Sequence, residues 1–222
     1  MEETIGSRLS EVWLQLPDGT RLVAVSKYHS VDAISEAYRA GQRMFGESHV
    51  QELSQKVTVL PGDIAWHFIG HLQTNKVKYI VPYIAMIESV DSIRLLREID
   101  RQAVKCGRTV DVLLELHIAQ EESKYGFSLD DCRMFLETGE WRLMQGVRIC
   151  GLMMMASNVD DIGQVAREFE TAKDFFDEVK LRYFASESSF CERSWGMSHD
   201  FQTAVLHGST MVRVGTRIFG ER

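Results

Sequence analysis

Eight short apolar runs alternate with segments of helical period along this chain, and that alternation limits its fold more than any other feature. The runs are Leu22 to Val25, Met44 to Glu47, Trp66 to Gly70, Ala85 to Ser89, Val110 to Ile118, Val147 to Met153, Ser194 to Met197 and Met211 to Val214. Between them apolar residues return every three or four positions, as in Ile93, Leu96 and Ile99, or Val165, Phe169, Ala172, Phe176 and Val179. Strands separated by helices are joined by crossovers and therefore lie parallel, with helices covering the sheet. Eight such units in 222 residues favour a compact (β/α)8 TIM barrel over an open doubly wound sheet. An amphipathic segment over 6–16 precedes the first strand and stops at Pro17-Asp18-Gly19, a turn signal. The expected architecture is one domain over 1–222, with an extra N-terminal helix at 6–16 and a barrel over 21–220.

Composition narrows the partners. With 45% hydrophobic residues and only three prolines, the chain can build one substantial core and has no linker signature. A formal charge of −7 without a lysine or arginine cluster argues against nucleic acid or an anionic membrane as a partner. The acidic start Met1-Glu2-Glu3-Thr4 lacks the apolar core of a signal peptide, and no apolar run approaches the roughly 20 residues of a membrane span. Cys106, Cys132, Cys150 and Cys191 form no CxxC pair and read as reduced thiols. A cytoplasmic monomer is the expectation.

Chemistry in such barrels gathers at the carboxyl ends of the strands, with phosphate sites in the loops after the seventh and eighth. Lys27 ends the first run. It is either a solvated strand cap or an amine that, held against apolar surroundings, attacks an aldehyde. Gly196-Met197-Ser198 precedes a short helix, and Gly215-Thr216 follows the eighth run; each offers backbone N–H groups beside a hydroxyl. Arg213 alternates with Val212 and Val214 and so points into the barrel. Buried there, it needs an acceptor: a carboxylate such as Glu47, Glu88 or Glu115, or a ligand. His67 and His71 lack the helical spacing of a metal pair and read as structural. Glu115 and His117 share one face of the fifth run, and Met153 to Met155 read as adaptable packing.

Together these segments resemble the pyridoxal phosphate homeostasis proteins, which are similar to the barrel domain of alanine racemase. The resemblance rests on Val23-Ala24-Val25-Ser26-Lys27, Phe45-Gly46-Glu47, and Trp66-His67-Phe68-Ile69-Gly70-His71-Leu72-Gln73 with Asn75-Lys76. Lys124, Gly126-Phe127, Gly151-Leu152-Met153, Gly196-Met197-Ser198 with Asp200, and Gly208 through Gly220 complete it. It implies pyridoxal 5′-phosphate as cofactor, a Schiff base at Lys27, a phosphate held by Ser198, Gly215 and Thr216, and Arg213 facing the pyridine nitrogen. Met197 and Ser48 fall at the same cofactor, Ser48 standing where the family usually has asparagine. Tyr28, His29 and Ser30 depart from the usual Thr-Lys-Pro, and Tyr125 replaces a small residue.

The resemblance implies a cofactor carrier in vitamin B6 homeostasis without robust catalysis, with pyridoxal-phosphate-dependent apo-enzymes as possible recipients. The alternative is a racemase-like enzyme. An arginine cannot take a proton from the ring nitrogen, which weakens the ring as an electron sink. The racemases' second acid–base tyrosine comes from an added domain, and with the sequence ending at Gly220-Glu221-Arg222 the expectation is that this domain is missing.

Overall fold

The computed structural model describes residues 4–118 and 125–221. Lys124 and the polar residues before it therefore lie outside the described residues. Eight strands form a closed parallel barrel in chain order: β1 (Arg21–Val25), β2 (Met44–Glu47), β3 (Ala65–Phe68), β4 (Met86–Val90), β5 (Val110–Leu116), β6 (Val147–Met154), β7 (Glu192–Ser194) and β8 (Met211–Val214). Closure is made by β8 on β1, with Leu22 opposite Val212 and Val23 opposite Arg213. Helices α1 (Ile5–Leu14), α2 (Val31–Arg39), α3 (Val50–Lys56), α4 (Val77–Ile80), α5 (Ile93–Lys105), α6 (Leu129–Thr138), α7 (Ile162–Tyr183), α8 (Phe201–Leu206) and α9 (Thr216–Phe219) surround it or precede it.

Strand alternation divides the apolar residues into two cores. Leu22, Ala24, Phe45, Trp66, Phe68, Val112 and Leu114 face outward and pack with the helices, including the Val165, Phe169, Ala172, Phe176 and Val179 stripe of α7. Each large side chain buried there contributes about 1.5–3 kcal/mol. Val23, Met86, Leu113, Cys150, Met153 and Met211 face inward and fill the barrel. Cys150 and Met153 share the interior despite odd spacing because the β5–β6 register shifts between Val112 and Leu113, which oppose Ile149 and Gly151. Cys150 is the extra residue of that bulge.

The structure moves two expected boundaries and adds detail at two further places. The first helix closes at Leu14 rather than Leu16, its capping N–H groups being satisfied by Val12 and Trp13 carbonyls. The stretch from Gln73 to Val81 folds as a 3₁₀ turn at Thr74–Lys76 followed by the single turn of α4. The seventh strand lies at Glu192–Ser194, earlier than the expected Ser194 to Met197, because Gly196 at φ +96° turns the chain out of extended geometry. A helix not read from the sequence, α9, begins directly after Gly215. Among the described residues no helix is long and apolar enough to cross a membrane.

Candidate functional site

The residues that the resemblance assigns to the cofactor lie on or just after the neighbouring strands β7, β8, β1 and β2, along one arc of the barrel mouth. Lys27 lies two residues past β1 and is half-buried. The alternation that puts Val23 in the interior puts Val25 on the same side, and Lys27 follows in the turn just past the strand. Ser26 points the other way, and its hydroxyl donates to Glu47 Oε1 at 2.6 Å. Ser48 follows β2, is half-buried, and pairs its hydroxyl with His49 Nδ1 at 3.1 Å.

Two loops meet beside β8. Gly215 N–H donates to the Ser198 hydroxyl at 3.1 Å, and Arg217 Nε donates to the Ser198 carbonyl at 2.7 Å. Met197 N–H is held by Asp200 Oδ1 at 2.5 Å, which fixes the turn carrying Ser198. Thr216 opens α9, so its N–H is among those with no acceptor inside the helix. The Ser198 hydroxyl proton and the Thr216 N–H remain as neutral donors beside the Gly215–Ser198 contact, where β7 and β8 open, and such donors suit an anion.

Arg213 is 4% exposed. Its Nη1 donates to the Ser194 carbonyl at 2.7 Å and hydroxyl at 2.6 Å, and its Nη2 donates to the Met154 carbonyl at 2.8 Å. Of the three carboxylates weighed from sequence, Glu88 is the ion-pair partner, at 3.7 Å. Glu47 faces the helix layer and pairs with Lys56 at 2.8 Å. Burial pulls the Arg213 guanidinium down, while Glu88, Asp200 and Glu115 hold it charged. Five N–H groups exceed these three bonds, so donor capacity remains for a ligand acceptor.

Glu88 is the hub beneath the mouth. His67 Nδ1 donates to its Oε1 at 2.6 Å and the Ser194 hydroxyl to its Oε2 at 2.5 Å. Burial opposes ionisation of Glu88, but His67, Arg213 and Ser194 outweigh it and keep the carboxyl below its ordinary range. His71 Nδ1 pairs separately with Asp91 at 2.9 Å, and its ring stacks on Tyr125 with centroids 3.8 Å apart. Among the described residues no three side chains group as metal ligands.

Glu115 occupies the upper inner layer of β5. Burial, with Asp91 adding and Arg213 opposing, raises its carboxyl from 4.5 to about 7. Between those values the folded chain holds this proton more tightly than the unfolded chain, so stability falls as pH rises through that window. The loss by neutral pH is on the order of 3 kcal/mol at ~1.4 kcal/mol per pH unit. Glu115→Gln is expected to flatten the fall and to exceed the wild type in stability at about pH 8. Urea denaturation of both proteins at about pH 5 and about pH 8 checks this. Equal slopes would show that Glu115 is not the titrating group.

Sequence reasoning did not find the contacts made by Ser194, Asp200, Glu52 and Lys56. Asp200 stood in the matched motif, and a lysine in the last turn of a helix, Lys56, reads from sequence as solvated. Only the barrel's closure brings Ser194 to Arg213, and only the packing of α3 beside the loop after β1 brings Glu52 to the Tyr28 N–H.

A closed parallel barrel with a lysine, a buried arginine and the Ser198–Gly215 corner at its carboxyl end defines the class, and the comparisons with known proteins name it. The family described as alanine racemase, N-terminal domain, matches residues 5–222. The pyridoxal phosphate homeostasis protein of Aquifex aeolicus is 36% identical over 204 residues, covering 91% of this chain and 87% of that protein. The human protein of the same name is 38% identical over 214 residues, covering 91% and 76%. PipY of Synechococcus elongatus, 38% identical, superposes with a TM-score of 0.91 without pyridoxal phosphate and 0.88 with it bound, over 98% of this chain and all of PipY. Alanine racemase of Clostridium difficile, at 13% identity and a TM-score of 0.76, shares the fold. This chain belongs to the pyridoxal phosphate homeostasis protein family.

Proposed function

We propose that the chain binds pyridoxal 5′-phosphate as a Schiff base through Lys27 and serves vitamin B6 homeostasis as a carrier without robust catalysis. The observation that carries this reading is the placement of Lys27 beside β8, the strand that holds Arg213 and leads into the Ser198–Gly215 corner. The residues fit the group at each end. Ser198, Gly215 and Thr216 would take the phosphate through neutral donors, with Met197 kept in place by Asp200. Arg213 would give a hydrogen bond to the ring nitrogen, and Ser48 lies at the edge of the same mouth. PipY, a relative that covers nearly this whole chain, has been solved with pyridoxal phosphate bound.

Bound, the cofactor supplies an aldehyde that condenses with amines and a ring that can accept carbanion electrons. The chain's own groups favour holding it. Arg213 is surrounded by Glu88, Asp200 and Glu115 and stays charged, so it donates a hydrogen bond to a ring nitrogen without giving up its proton. Lys27 would hold the aldehyde carbon through its amine, an attachment that is reversible and so suits delivery to an apo-enzyme.

Borohydride reduction of the loaded protein, followed by peptide mapping, tests the attachment. The peptide containing Lys27 is expected to carry the label; labelling elsewhere, or none, rejects the reading. Sustained amino-acid racemisation by fully loaded protein would replace the carrier with an enzyme.

A further inference from the structure

We infer that the buried cluster of Glu47, Glu52 and Lys56 is a clamp that sets the direction of the Lys27 side chain, with Lys56 and Glu52 as its positioning residues. This rests on the reading of Lys27 as the cofactor lysine. Lys56 lies in the last turn of α3 yet is 5% exposed. Its ammonium has three N–H groups, and three acceptors meet it: the Ser26 carbonyl at 2.8 Å, Glu47 Oε1 at 2.8 Å and Glu52 Oε1 at 2.7 Å. Glu52 Oε1 also accepts the Tyr28 N–H at 2.5 Å. The Ser26 hydroxyl adds a bond to Glu47 Oε1.

The geometry is specific to Lys27. The Ser26 carbonyl belongs to the peptide unit before Lys27, and the Tyr28 N–H belongs to the unit after it. Each unit is planar, so anchoring one atom of each leaves the two backbone torsions of Lys27 little freedom. Its Cα–Cβ direction then follows. Tyr28 sits at φ +67°, the left-handed region that a residue with a Cβ disfavours, inside the turn that the His29 N–H closes on the Ser26 carbonyl at 3.1 Å. Tyr28 is otherwise steadied at the rim, where its hydroxyl lies 3.3 Å from His49 Nε2. A buried ion cluster is seldom the most stabilising filling for such a space. What an apolar filling would not supply is a grip on both peptide units around one lysine.

An amine misplaced by about 1 Å can lose up to about 10²-fold in reactivity. Removing the clamp should therefore weaken capture of the aldehyde and spare recognition of the phosphate and ring. Pyridoxine 5′-phosphate, which carries an alcohol in place of the aldehyde, separates the two. Glu52→Ala frees the Tyr28 N–H and leaves Lys56 bonded to Glu47 and Ser26. It is expected to bind pyridoxal phosphate about tenfold more weakly, with pyridoxine phosphate changed by less than about twofold.

Glu52→Gln keeps an acceptor oxygen for Tyr28 and should restore most of the loss. Lys56→Met should exceed the effect of Glu52→Ala; if it does not fold, Glu52→Ala decides. Equal loss for both ligands would make the cluster merely structural, and no loss for either would remove it from the site; each overturns the clamp. A wild-type protein unlabelled at Lys27 by borohydride would instead overturn the binding reading itself.

Discussion

Arg213→Met is expected to cost about 3–5 kcal/mol of folding stability, the range for breaking a buried ion pair by removing one partner. The substitution fills roughly the same volume, so the loss would not come from a cavity. It would come from what the guanidinium leaves behind. Glu88 is fully buried and would keep only His67 and Ser194 as partners. The Ser194 and Met154 carbonyls would lose their donors inside the barrel. Lysine offers a point charge and cannot span Ser194 and Met154 together, so Arg213→Lys should recover only part. Urea denaturation midpoints rank the three proteins. A loss below about 1 kcal/mol would mean that the Glu88 network closes without the arginine. Arg213→Gln should also loosen pyridoxal phosphate, and unchanged affinity would remove the proposed ring contact.

That network also marks where the sequence was informative and where it stopped. Periodicity was enough for the barrel: seven of the eight runs hold a strand nearly in place and the seventh lies beside one, since a strand covered by helices outside and packed inside has few polar residues to blur it. The seventh run was displaced because β7 has three residues and ends before Gly196, too short for alternation to register. Arg213 was legible as inward-facing from its two valine neighbours. Its choice of Glu88 over Glu115 or Glu47 was not, because that depends on which strands close against each other and on the outward face taken by Glu47. Lys56 escaped for the same reason. A lysine ending a short helix carries no local sign of burial. Only the meeting of α3 with the loop after β1 takes it out of water.

Gly196→Ala is expected to damage both folding and phosphate recognition. Gly196 sits at φ +96°, which costs a residue with a side chain about 1–2 kcal/mol. A Cβ there would lie 2.6 Å from the Ala204 Cβ and 2.9 Å from the Phe201 Cα. Neither neighbour is the flexible end of a long side chain, since Ala204 and Phe201 belong to α8, and Phe201 is 1% exposed. Relief therefore means moving α8 or the turn itself, an overpacking penalty of about 1–3 kcal/mol. The two together give a loss of about 2–5 kcal/mol. The Gly196 carbonyl accepts the Arg213 backbone N–H at 3.0 Å, and the next two residues lead to the Ser198 hydroxyl that meets Gly215. A displaced turn would thus separate the two halves of the anion corner. Pyridoxine 5′-phosphate affinity should fall at least tenfold in Gly196→Ala, and pyridoxal phosphate affinity with it, because the shared phosphate is what is lost. This is the reverse of the selective loss expected of Glu52→Ala. A Gly196→Ala protein that kept its affinity for pyridoxine phosphate while losing stability would place the phosphate away from Ser198.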